Sequence, residues 1–447
     1  MSSAAAVATD LDLLDLDLLD LDRFAREGPP FAEFARLTRE APVWWHAARR
    51  GSAGFWVVTG YDEIVSLGRR PAELSSDADH GGVTGLGAGD ELQDSLDGLH
   101  DRVRRWSSYG LAEWLGGDGS TSLATEAKQL LTMDPPEHTA FRKMVNRGFT
   151  PRMIATLRPR IDRTVAAAFD RLPMDEPFDL VDRLAMPIPL HMIADMLGVP
   201  PEDHHLVRDW SNRMVGGTDA EYRVGAISEV RAMIEFARYV QGLCGRYRGT
   251  DADNIVSVLL GSRYKDQELN QVRLTIFVFL LAVAGNETTR NAISHGVWEL
   301  ARRPEQYRRL VDDPGLIPTA VEEILRWASP VMYLRRTALT EVRVAGRTVR
   351  PGEIVSLWFL AANRSPAQFP DPDTFDVGRT PNHHVAFGGG GPHFCLGANL
   401  ARLEIEAVLR ELVRRAGRIE TAGQPERLRS NFLHGIKHLP VVLRPRR

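Results

Sequence analysis

Apolar residues recur at three- and four-residue spacing along much of the chain, and that period predicts helices over 153–172, 188–197 and 226–244. A longer run predicts one helix from about 271 to 302. Its most apolar part, 274–284, is too short to span a bilayer and reads as a buried core helix. Helices continue through 305–327, and a last one runs from about 396 to 416, where Gly417 predicts a left-handed cap. Short β-rich runs interrupt this pattern in a few places. Val43-Trp44-Trp45 and 54–59 predict strands before a helix over 61–67, and Val342-Arg343-Val344, 353–358 and 435–443 predict further strands. The fold class is therefore mainly α with a smaller β lobe. No linker composition splits residues 23–447 into two cores, so they form a single domain.

Three stretches depart from the periodic pattern. Residues 1–22 hold the near-repeat Asp10-Leu11-Asp12-Leu13-Leu14 and Asp15-Leu16-Asp17-Leu18-Leu19, read as an acidic N-terminal extension docked loosely on the body. A partner-binding amphipathic tail is the competing reading. Residues 80–125, rich in glycine, serine and charge, predict a long surface insertion with a short helix, of the kind that roofs an active site. Residues 366–379 are Pro/Asp-rich and irregular.

Composition then removes several function classes. A chain of 447 residues, 43% hydrophobic and 26% charged, can bury a large core. A net charge of −4 without a sustained basic run leaves no electrostatic footprint for nucleic acid. No basic segment followed by an apolar one opens the chain, so the expectation is a cytoplasmic protein with no membrane anchor. Two cysteines, Cys244 and Cys395, make neither a disulfide framework nor a zinc pattern, although a bridge between them stays open.

Candidate chemistry concentrates at Cys395. A lone cysteine is ordinarily a small core hydrophobe. Here the run Phe387-Gly388-Gly389-Gly390-Gly391-Pro392-His393-Phe394 leads into it and an apolar helix follows. Glycines admit close backbone amides and the helix start favours negative charge, which suits a thiolate bound to haem iron and hence oxygen activation. Inside the long helix, Ala284-Gly285-Asn286-Glu287-Thr288-Thr289 offers small residues at 284 and 285 where a flat cofactor or dioxygen can approach. The Thr288 hydroxyl can bond the carbonyl of Ala284 and open the helix, with Glu287 linking the groove to solvent protons. Glu323 and Arg326 sit three apart on one helix face, and Arg379 is the expected third member of that cluster. His138, Arg142, Arg336 and His393 are cationic groups suited to two buried carboxylates such as haem propionates.

These elements, in this order, resemble the cytochrome P450 family of haem-thiolate monooxygenases across nearly the whole chain, including Ala361-Ala362-Asn363-Arg364-Ser365-Pro366 and Phe375-Asp376-Val377-Gly378-Arg379. The resemblance implies haem b with Cys395 as proximal ligand and Glu287 with Thr288 as an acid–alcohol pair. It also implies Glu323 with Arg326 as scaffold, and His138, Arg142, Arg336 and His393 on the propionates. Phe387 stands eight residues before Cys395, one more than the usual family loop. This longer form, the 284–291 segment and Ser430-Asn431-Phe432-Leu433-His434-Gly435-Ile436-Lys437 are similar to actinobacterial enzymes that oxidise sterols and methyl-branched lipids.

The expected activity is insertion of one atom of O2 into a C–H bond of a hydrophobic substrate. The expected lining is Leu280, Ala284, Thr288, Val331 to Leu334, Phe432 and Leu433, under a roof from 80–125 and 185–240. No GxGxxG lies at a strand–helix junction, so electrons are expected from a separate ferredoxin and its NAD(P)H-dependent reductase, docking near Arg142, Lys143 and Arg147. Alternatives are an oxidase tailoring a terpenoid or polyketide, a partner-free peroxygenase or isomerase, and a haem-thiolate ligand sensor.

Overall fold

The computed structural model describes residues 16–49, 53–86, 128–215, 219, 221–222, 226–264, 267–269 and 271–446. Its axis is the helix Gln271–Arg302, with the bounds the periodicity predicts. Asn291 to Leu300 are buried without a break, as expected of a helix enclosed on all sides. The whole helix is long and apolar enough to cross a membrane, a property that the short run 274–284 does not reveal. Over half of its most apolar window is buried inside the protein, where Pro187–Leu197, Ile317–Ala328 and Ala398–Arg415 pack around it.

The β lobe is a five-stranded sheet in the order Val43–His46, Phe55–Val58, Ile354–Leu357, Leu334–Ala338, Leu74–Ser75. Its register sets Val355 opposite Arg336, and Arg336 is buried. A smaller sheet of Ala416–Thr421, Pro440–Pro445 and Phe178–Asp179 closes the other end.

Several sequence expectations change in the structure. The helix expected over 153–172 is two, Pro151–Thr156 and Arg158–Phe169, because Pro159 cannot donate to a preceding turn. The last helix ends at Arg415 with no left-handed cap at Gly417. Ala416 is already extended (φ −102°), and the freed Arg415 carbonyl accepts from the Arg446 N–H at 2.8 Å. The strand expected over 435–443 is two, Ile436–His438 and Pro440–Pro445, which join different sheets. Between them the Leu439 N–H donates to Asp179 Oδ1 at 3.0 Å, and its carbonyl accepts from the Leu180 N–H at 2.9 Å.

The acidic extension is not loosely docked where it is described: Leu16, Leu18 and Leu19 are buried. The near-repeat before Leu16, and the short helix expected within 80–125, lie outside the described residues, which omit 87–127. The described start of that insertion is laced to the sheet, with Arg335 N–H donating to Val83 O at 2.8 Å. Both cysteines are free thiols, Cys244 in the core.

Candidate active site

The loop before Cys395 needs its glycines. Gly388, Gly390 and Gly391 all have φ between 76° and 97°, and a Cβ on Gly391 would lie 2.1 Å from the Gly68 carbonyl oxygen. The run is thus shaped to pack on the helix Tyr61–Gly68. The amides directed at the sulfur come instead from Gly397 and Ala398, at the start of the helix Ala398–Arg415. The Cys395 N–H donates to Phe387 O at 3.0 Å, closing the loop. Cys395 is densely surrounded by protein atoms yet accessible. Burial pushes its thiol pKa up, against the Gly397 and Ala398 amides and the nearby Arg142 and Arg402 charges, which favour the thiolate.

Across the fold, Thr288 Oγ1 donates to Ala284 O at 2.8 Å, the bond expected from the sequence. Ala284 is exposed, and Gly285 beside it lets Ile193 pack close, since a Cβ there would lie 3.3 Å from that side chain. Glu287 is buried and ion-paired with buried Arg290, one helical turn on. Leu280 and Ala284 lie one turn apart on this helix. Val331 pairs with Leu433 in an isolated bridge, and Met332 N–H donates to Phe432 O at 2.9 Å. Phe432 and Leu334 are half-buried.

A second cluster is incomplete. The His138 and His393 rings lie 4.2 Å apart, and neither ring nitrogen of His138 nor Nε2 of His393 has a hydrogen-bond partner among the described residues. Buried Arg336 donates to the Arg335 carbonyl at 2.7 Å. Burial, then the Arg142 charge, brings His138 down to about 4. Burial, then Arg336 and His138, brings His393 down to about 2, and burial brings Arg336 down to about 10. Unpartnered ring nitrogens beside a buried arginine fit two carboxylates, whose negative charge would favour the protonated, donating rings, and with the Cys395 sulfur they fit a haem. Arg142 is placed elsewhere: its guanidinium donates to the Pro392 and Phe394 carbonyls, tying the cysteine loop. Lys143 is exposed, while the side chain of Arg147 lies outside the described residues.

In the third cluster the charged groups are paired with protein partners. Glu323 and Arg326 are fully buried and paired twice, at 2.7 and 2.8 Å. Arg379 joins Glu323 at 3.2 Å, and Asn382 Nδ2 donates to it at 3.1 Å. Arg326 also donates to the carbonyls of Asn363, Pro372 and Thr374. Sequence reasoning missed Arg290, Asn382 and Arg402. Arg402 lies over the Phe387 ring at 4.6 Å and is paired with Glu322 at 2.7 Å. Arg290 carried a readable signal, since it follows Glu287 by the same three residues that join Glu323 to Arg326.

The chain is similar to known proteins over most of its length. The family model described as cytochrome P450 matches residues 315–426. The chain is 38% identical to the methyl-branched lipid omega-hydroxylase of Mycobacterium tuberculosis, over 92% of this chain and 90% of that protein. It is 35% identical to the steroid C26-monooxygenase of Rhodococcus jostii, over 92% and 81% respectively. The solved structure of a Mycobacterium marinum cytochrome P450 in complex with pseudoionone matches with a TM-score of 0.79 and 32% identity, covering 92% of this chain and 94% of that one.

Proposed function

We infer that this chain, which belongs to the cytochrome P450 family and is a haem-thiolate monooxygenase acting on a hydrophobic substrate, hydroxylates a methyl-branched lipid or sterol side chain in the cytoplasm. The lipid reading is carried by the near-full-length likeness to the methyl-branched lipid hydroxylase. Electrons come from a separate ferredoxin and its NAD(P)H-dependent reductase, with exposed Lys143 at the docking surface.

Haem held by the Cys395 thiolate supplies the oxygen-activating chemistry. His138, His393 and Arg336 would hold its two carboxylates, satisfying ring nitrogens that lack partners among the described residues. Arg142 and Arg402 hold the cysteine loop, and the Gly397 and Ala398 amides favour the charged sulfur. Thr288 keeps its proton on the Ala284 carbonyl and presents its oxygen to the cleft. Glu287, clamped by Arg290, relays solvent protons toward that hydroxyl when the pair opens. Leu280, Ala284, Val331, Leu334, Phe432 and Leu433 exclude water and orient an apolar chain by shape. Glu323, Arg326 and Arg379 act as scaffold.

The test is a titration of the holoenzyme with phytanic acid, cholesterol, palmitic acid and pseudoionone, following the low-to-high-spin Soret shift, then turnover with ferredoxin and reductase. Phytanic acid or cholesterol should shift the spectrum and yield a hydroxylated product, and Cys395→Ser should abolish the thiolate signature of the reduced carbon-monoxide complex. A response to pseudoionone alone favours the second reading, a terpenoid-tailoring oxidase, which the pseudoionone-bound neighbour supports. Peroxide-driven turnover without ferredoxin would replace the electron-partner assignment.

A further inference from the structure

The leucines that end the N-terminal acidic run have no part in the chemistry above, yet they are among the best-buried residues in the protein. Leu16, Leu18 and Leu19 join the cluster of Phe34, Phe55, Met332, Tyr333 and Trp358, against which Phe432 packs. Side chains from two distant segments take both backbone groups of Leu18. Its N–H donates to His46 Nε2 at 3.2 Å, and its carbonyl accepts from Asn431 Nδ2 at 2.8 Å. His46 Nδ1 faces the Ala47 carbonyl at 2.9 Å, so that nitrogen carries the proton and Nε2 is left as the acceptor. Arg429 adds an ion pair to Asp22 at 2.5 Å.

Asn431 immediately precedes Phe432 and Leu433. From inside, that turn is held by the Val331–Leu433 bridge and by Ser430 Oγ, which accepts from the Phe432 and Leu433 N–H groups at 3.1 and 3.0 Å. From outside it is held by Leu18. We propose that residues 16–22 form a strap that sets the position of Phe432 and Leu433 through the Asn431–Leu18–His46 hydrogen-bond chain, making Asn431 and His46 specificity-positioning residues. The inference rests on the reading that Phe432 and Leu433 line the substrate chamber.

Two haem-binding probes test it in the holoenzyme: phenylimidazole, whose ring must fit the lining, and imidazole, which is too small to sense it. Asn431→Asp turns the donor into an acceptor facing the Leu18 carbonyl. It should weaken phenylimidazole about tenfold, the scale of a hydrogen bond made repulsive, leave imidazole unchanged, and quicken amide exchange at 16–19. His46→Phe keeps the ring stacked on Phe55, now at 4.5 Å, but removes the acceptor. It should act in the same direction if Asn431→Asp fails to fold. Leu433→Ala separates the two levels. If it shifts phenylimidazole and the strap variants do not, the strap is overturned and the lining stands. If Leu433→Ala shifts nothing, the lining reading fails and the strap falls with it. Equal loss for both probes would mark mere destabilisation and overturn the proposal.

Discussion

Around Glu323 the buried carboxylate and its guanidiniums find protein partners; around His138 the buried ring nitrogens find none among the described residues. Both clusters draw on residues far apart in sequence, and both remove polar groups from water. Desolvation of that kind costs several kcal/mol per charge unless hydrogen bonds replace the water. The Glu323 cluster supplies those bonds from its own side chains and the carbonyls of 363–374, so its charges are paired as folded, the bonding expected of a scaffold. The His138 cluster is complete only when something else brings acceptors. Charges paired from within point to architecture, whereas three ring nitrogens gathered beside a buried arginine without partners among the described residues point to a ligand.

The largest effect that would sharpen this contrast is at Arg326. Arg326→Ala leaves Glu323 buried and short of its strongest partner, and should cost about 3–5 kcal/mol, read as a large fall in the denaturation midpoint of the holoenzyme or loss of soluble protein. A midpoint close to that of the parent would show that the cluster is not the scaffold its bonding implies.

Glu404 is an intermediate case and gives the next effect. It is buried, with Thr289 as a hydrogen-bond partner, and burial pushes its pKa up to about 8 from 4.5. Between those values the folded chain holds a proton that the unfolded chain has lost, so stability falls as pH rises from about 4.5 to about 8. Glu404→Gln removes that penalty. It should stabilise the protein at pH 7 by up to about 3 kcal/mol and gain nothing below about pH 4.5, measured by urea denaturation at both pH values. An equal effect at the two would mean that Glu404 is charged in the fold.

Local patterns were the legible ones. The bounds of Gln271–Arg302, the Thr288–Ala284 bond and the Glu323–Arg326 pair all follow from helical spacing within four residues. Arg379 reads as the third member of the Glu323 cluster from its place in the irregular stretch before the cysteine loop, a segment that the family resemblance also covers. Asn382 and Arg402 reach carboxylates 59 and 80 residues away, and no periodicity encodes such a distance. Gly417 misled because the strand Ala416–Thr421 pairs with Pro440–Pro445 directly after the helix, so tertiary pairing replaces the cap. The leucines of the acidic run misled for a related reason. Their charge pattern suggested an extension docked only loosely, and the slot beside Trp358 and Asn431 makes them core.

The smallest effect cuts most directly between the two clusters, because its sign should reverse with the ligand. His138→Phe keeps the ring volume beside His393 and removes two buried nitrogens that have no partner among the described residues. In the haem-free protein this substitution should be neutral or mildly stabilising, since an unsatisfied buried polar group costs about 1–3 kcal/mol. In the holoenzyme it deletes a charge-assisted bond to a carboxylate, so haem should dissociate about tenfold faster, a loss of about 1.4 kcal/mol. Thermal denaturation of the two forms, with haem transfer to an excess of an apo-haem protein, reads both terms. Arg326→Ala should lower the stability of both forms alike, so opposite signs for His138→Phe are the signature of a site left open for a ligand. The same loss in both forms would place His138 with the scaffold and erase the distinction.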